Sequence, residues 1–179
     1  MSSKNQSSAD NQQERLSWWI VGFVDGEGTF SVSINKNSTT SSGWQIFPEF
    51  VVTQGAKSKF SLEEIQKFFQ CGNIYINRRQ DNHKENLFRF CVRSQSDLRE
   101  RIIPFFLEHP LKTAKKEDFN KFVEILRLME RKKHLNKDGL QEISKIAARM
   151  NRKSSRWKSS ETRRQVLPNS TKLSEVEKI

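Results

Sequence analysis

Leu16-Ser17-Trp18-Trp19-Ile20-Val21-Gly22-Phe23-Val24-Asp25-Gly26-Glu27-Gly28 is the stretch whose reading decides the fold of this chain. It reads as a helix, apolar almost all round and therefore buried, that ends in two carboxylates bracketed by glycines. Trp19, Gly22, Phe23 and Gly26 recur at helical spacing and make one stripe. Glycine inside a helix costs about 1 kcal/mol relative to alanine, so two of them in one stripe need a cause. Close approach of a second helix supplies one, because no side chain separates the two axes. Asp25 and Glu27 then stand at the C-terminal pole, where the helix dipole disfavours negative charge. Carboxylates in that position point to a cation site.

After Gly28 the period changes from helical to alternating. Phe30, Val32 and Ile34 face one way in a first strand, and the residues between face the other. Lys36 to Gly43 is a hairpin tip, and Trp44 to Gln54 returns with Ile46, Phe50 and Val52 inward. Pro48 lacks a ladder donor, so it marks an edge or a bulge. Ser58 to Gln70 predicts a helix with Ser61 and Glu64 spaced as a capping box. Strands over Asn73–Arg79 and Leu87–Arg93 follow, the latter with Phe88, Phe90 and Val92 inward. A short helix from Ser96 should stop near Pro104. Thr113 can cap a long helix over Ala114–Lys133, and Asn136 another running to Met150. The order is αββαββα with helical extensions, an α+β chain with a four-stranded antiparallel sheet.

These residues carry a resemblance. Ile20–Gly28, IVGFVDGEG, resembles the nine-residue motif of the LAGLIDADG homing endonucleases, and the element order resembles that family's fold. Val52-Thr53-Gln54 at the end of the second strand, and Leu111-Lys112 entering the helix with Glu124 and Leu126, are similar to its further landmarks. Ser160-Glu161-Thr162 with Val166-Leu167 resembles the tail of the single-motif, chloroplast-type members. The resemblance implies that Glu27 is a metal ligand and the Gly26 carbonyl a second one, with Asp25 mainly structural. Gln54 and Lys112 match the polar residues that position water and stabilise transition-state charge. Lys115 and Lys116 are alternatives for the lysine, because a shift in the link would exchange them.

Phosphodiester hydrolysis needs an activated water, neutralised phosphoryl charge and a stabilised leaving alkoxide, all of which divalent ions supply. Mg²⁺ keeps several waters and takes one or two protein carboxylates, so a single Glu27 is too few ligands unless two helices meet. One motif per chain therefore implies a homodimer, with Trp19, Gly22, Phe23 and Gly26 packing on their symmetry mates. The outward strand faces become a concave saddle on DNA. Arg79 and Arg89 suit guanine, while Gln45, Asn77 and Asn35 suit adenine; Tyr75 shares that face. Lys153 and Lys158 suit phosphates, which position the protein without reading sequence.

Composition agrees. The chain has 179 residues, a net charge of +11 and 34% apolar residues, which suggests a polyanionic partner and a core shared with a second copy. Residues 1–13, rich in Ser, Asn and Gln, read as a disordered tail; 14–151 as the endonuclease domain; 152–179 as a basic extension. Cys71 and Cys91 fit no zinc spacing and read as reduced packing residues. With no membrane-length apolar run and no signal peptide, the expected setting is an intracellular reducing compartment with access to DNA, an organelle matrix or bacterial cytoplasm. The expected partners are double-stranded DNA and a second copy, with no membrane and no small-molecule substrate. The expected function is site-specific, Mg²⁺-dependent cutting of both strands at a long pseudo-palindromic site, promoting intron mobility. An RNA maturase assisting splicing and an inactive DNA-binding regulator are the alternatives.

Overall fold

The computed structural model describes residues 3–77 and 86–150. Helix α1 (Ser3–Glu27) runs directly into β1 (Gly28–Lys36), and β2 (Trp44–Gly55) pairs back on it. A 3₁₀ turn leads to α2 (Lys59–Phe69), then β3 (Asn73–Asn77) and β4 (Leu87–Val92). The sheet is antiparallel with strand order β1-β2-β4-β3. The rest is helical: α3 (Gln95–Asp97), a π turn over Leu98–Ile102, α4 (Ile103–Glu108), α5 (Lys115–Glu130) and α6 (Lys137–Ala147).

The helices cover one face of the sheet, and the core between the layers is built on phenylalanine. Phe30 stacks on Phe50 with ring centroids 5.0 Å apart and meets Phe106 and Phe119 edge-on. Phe69 and Phe105 extend the cluster beneath α2. Of the expected inward sets, Phe30, Ile34, Ile46, Phe50, Val52, Phe90 and Val92 are buried, while Val32 and Phe88 are half-buried against the core. Pro48 pairs with Val32 on β1, in the part of β2 that β4 does not reach. No ladder donor is needed there.

Several local expectations give way. Helix α1 begins at Ser3, so residues 3–13 are helical rather than irregular. Extending a formed helix adds one hydrogen bond per residue without a new nucleation cost. Nor is α1 buried all round. Ile20, Val21 and Val24 pack on the sheet, whereas Trp18 and Trp19 are 43% and 40% exposed. The Ser61–Glu64 capping box is absent: Ser61 lies buried inside α2, and Ser58 takes the N-cap position without a side-chain bond. Pro104 does not stop its helix. The π turn before it widens the backbone, and Pro104 enters the first turn of α4, where its missing N–H costs little. Asn136 does cap α6, its Oδ1 accepting from the Gly139 N–H at 2.8 Å.

Candidate functional site

The site forms where α1 ends. Gly28 starts β1 with no intervening loop, and a Cβ there would lie 2.6 Å from Val24 Cγ1 and 2.8 Å from the Val24 carbonyl. Only glycine permits that turn from helix to strand. Glu27, the last helical residue, is therefore left exposed at the pole of α1. The register pairing Gly28 with Val52 carries Gln54 two residues beyond the start of β1, at the sheet end from which Glu27 departs. Gln54 is half-buried and continues the inward face of Phe50 and Val52.

The link 111–115 is pinned to this pole. Asp25 accepts from the Lys112 N–H at 2.7 Å and from the Thr113 N–H and hydroxyl at 3.2 and 2.7 Å. Burial alone would raise the Asp25 pKa, but these bonds and the nearby Lys115 charge overcome it and hold the carboxyl below its ordinary value. Thr113 is thus a partner of Asp25 more than a cap of α5; its hydroxyl accepts from the Lys115 N–H only at 3.3 Å. Asp25 thus ties the end of α1 to the link.

Of the three lysines, the geometry brings Lys115 to the pole. Its Nζ donates to the Val24 carbonyl at 2.7 Å and to the Gly26 carbonyl at 3.3 Å. A cation here meets the negative end of the α1 dipole and the unpaired carbonyls of its last turn. Burial lowers the Lys115 pKa, against the opposing pull of Asp25, Glu27 and Asp118. Lys112, the first choice from sequence, instead holds its ammonium 5.6 Å from the Trp18 ring centroid. Lys116 is exposed. Lys112 lies in the link and Lys115 opens α5 three positions later, with the Asp25–Thr113 clamp holding the link between them; that contact has no signature in local sequence.

Glu27 and the Gly26 carbonyl are hard oxygen donors of the kind Mg²⁺ and Ca²⁺ take. Among the described residues no group of three or more acidic, His or Cys side chains gathers anywhere. One chain thus presents two such oxygen donors at the pole of α1. The stripe above it is open: an added Cβ at Gly22 or Gly26 would meet nothing within 4 Å, and Trp19 packs on Phe23 beside them at 5.1 Å.

On the outward sheet face, Asn35 and Tyr75 are exposed, Asn77 is exposed and Gln45 is half-buried, its Oε1 accepting from Asn37 Nδ2 at 2.7 Å. Arg89 faces Glu49 across β2 and β4 at 3.6 Å. Arg79, Lys153 and Lys158 lie outside the described residues. The alternation also places Glu49 and Arg93 on this face without assigning them a role, and there they lie 3.0 Å apart.

An αββαββα chain with an acidic helix pole beside the open face of a four-stranded sheet defines the LAGLIDADG architecture. Residues 20–126 match the family model described as LAGLIDADG endonuclease, and the chain belongs to that family. It is 30% identical over 83% of its length to the "Probable intron-encoded endonuclease 3" of Neurospora crassa, covering 27% of that protein. Among solved structures it is similar to the homing endonuclease I-TnaI, with 41% identity, a TM-score of 0.68, and 76% and 88% of the two chains covered. It is also similar to I-SmaMI bound to uncleaved DNA target in the presence of calcium ions, with 35% identity, a TM-score of 0.69, and 78% and 46% covered. The chain spans about a quarter to a third of the length of several curated relatives it matches.

Proposed function

We propose that this chain is a site-specific homing endonuclease that acts as a homodimer, cutting both strands of a long pseudo-palindromic DNA site. The observation that carries the reading is the convergence of the Glu27 carboxylate, the Gly26 carbonyl and the Lys115 ammonium at the end of a helix whose glycine stripe stands open. Two such poles across a two-fold axis would complete the donor set that one chain leaves half made. The match to roughly half of I-SmaMI's length supports the same arithmetic.

Glu27 and Gly26 would hold a divalent ion, Mg²⁺ in the working enzyme; it supplies charge neutralisation and an acidified water. Lys115 places a fixed positive charge where phosphoryl charge grows, its position held by α1 carbonyls and the Asp25 clamp. Gln54 orients water from the sheet end. Trp19, Gly22, Phe23 and Gly26 bring the second copy close. Asn35, Gln45, Tyr75, Asn77 and Arg89, with Arg79 beyond the described residues, read bases; Lys153 and Lys158 hold phosphates. Residues 14–151 form the endonuclease domain and 152–179 its basic extension. The setting is an intracellular, DNA-containing compartment; no helix of the described residues is long and apolar enough to cross a membrane.

The test is incubation of the protein and Mg²⁺ with a randomised duplex pool, followed by sequencing of cut ends. The expected product carries breaks in both strands at one related set of sites. Uncut duplexes beside a strongly bound structured RNA would favour the maturase reading instead.

A further inference from the structure

The outward face of the two central strands carries an acid where a polyanion is to dock. Val51 on β2 and Cys91 on β4 oppose each other on that face, yet they are only 5% and 3% exposed. Glu49 from β2 lies against Cys91, with Arg89 from β4 and Arg93 just beyond its end on either side of the carboxylate. The Glu49 Oε2 accepts from Arg93 Nε at 3.0 Å and from the Cys91 thiol at 3.5 Å, while Oε1 lies 3.6 Å from Arg89 Nη2. Arg93 also lies 5.8 Å over the Tyr75 ring. A negative charge on this face weakens attraction to DNA, so its presence needs a compensating use.

Guanine is read by the two terminal amines of a guanidinium, on its O6 and N7. Arg93 meets Glu49 through Nε, which leaves that far edge, Nη1 and Nη2, for a partner. Its side chain is 58% exposed, which leaves it open to a partner. Arg89 faces the same carboxylate through a terminal amine, spending part of its reading edge. Holding an arginine in one rotamer before binding removes an ordering cost that the complex would otherwise bear.

We propose that Glu49 is a positioning residue for DNA specificity, and that Arg93 is the side chain it presents to a guanine in each half-site. The inference rests on the endonuclease reading above.

Binding titrations, with Ca²⁺ replacing Mg²⁺, would use the duplexes enriched from the randomised pool and all their single-base variants. Arg93→Ala should lower discrimination at one position per half-site by about tenfold. Glu49→Gln should relax that same position while strengthening binding to non-preferred duplexes, because a charge repelling phosphate is gone. A merely structural Glu49 would change melting temperature without moving the base profile. Glu49→Asp, which keeps the charge but withdraws it from Arg93, should relax the position as well and serves if the glutamine variant does not fold. An unchanged profile in the Glu49 variants, or an Arg93→Ala loss equal across all duplexes, overturns the inference while the wild-type preference leaves the endonuclease reading standing. A wild-type protein without any base preference overturns both.

Discussion

The Asp25 Oδ1 lies 2.7 Å from the Thr113 hydroxyl across 88 positions of sequence. This contact joins the motif helix to the link before α5, between Lys112 and Lys115. Replacing Asp25 by Asn keeps one acceptor oxygen and sets an amide donor against either the Lys112 or the Thr113 N–H. We expect a loss of about 0.5–2 kcal/mol in urea unfolding at neutral pH, in line with other side-chain caps of backbone donors. The folded-state pKa of Asp25 is depressed, so its stabilisation is fully present above the ordinary value of 3.8 and lost as pH falls through the lower folded value. The gap between wild type and variant should therefore close below that point. A gap that persisted unchanged in acid would mean the carboxylate charge is not what holds the link.

Lys115 and Lys112 should separate cleanly in a cleavage assay. Lys115→Met removes the cation beside Gly26 and should slow cutting by about 10²–10³-fold, the cost of losing one preorganised electrostatic group. Lys112→Met removes an ammonium that rests on Trp18 and should cost far less. Stability moves the other way. Burial lowers the Lys115 pKa below the ordinary lysine value of 10.5, so the unfolded chain binds more protons in that range and stability rises with pH through it. The methionine variant should lack that rise. Equal rate losses in the two variants would place the active lysine elsewhere.

The contrast between what local pattern conveys and what it conceals follows from where each contact comes from. The strands were legible because their inward sets alternate with period two, and α6 because Asn136 caps within three residues. Glu27 was legible because an acid at a helix C-terminus contradicts the dipole. The Asp25–Thr113 clamp, the π turn ahead of Pro104 and the burial of Cys91 under Glu49 were not. Each depends on partners from distant strands or on backbone widening, neither of which leaves a periodic trace. Lys112 and Lys115 are told apart by such long-range contacts.

Gly22 supplies a test of the second copy that does not disturb the single chain. A Cβ there meets nothing within 4 Å, so Gly22→Leu should leave the fold intact and even favour α1, by up to about 1 kcal/mol of helix propensity. In a dimer joined along the stripe, the same leucine would force the axes apart. Sedimentation equilibrium should find a wild-type dimer and a Gly22→Leu species shifted towards monomer, with unchanged or raised melting temperature when extrapolated to low concentration. A wild-type monomer at micromolar concentration would refute the shared-stripe arrangement.

Glu27→Gln isolates charge from shape at the pole. The amide keeps the length and polarity of the side chain, and Glu27 is exposed, so the fold has no reason to respond. It removes the negative charge that draws a hard divalent ion, and with it an electrostatic contribution worth several kcal/mol in the transition state. Each 1.36 kcal/mol is tenfold in rate, so cutting should fall by orders of magnitude. Affinity for the preferred duplex should be retained or improved, since Glu27 is not among the strand residues proposed to read bases and one repulsion with phosphate would be gone. Single-turnover cleavage and binding titrations on the same duplex check both halves. Cutting near the wild-type rate in Mg²⁺ would move the catalytic centre away from α1, and loss of binding would make Glu27 part of the docking surface rather than of the chemistry.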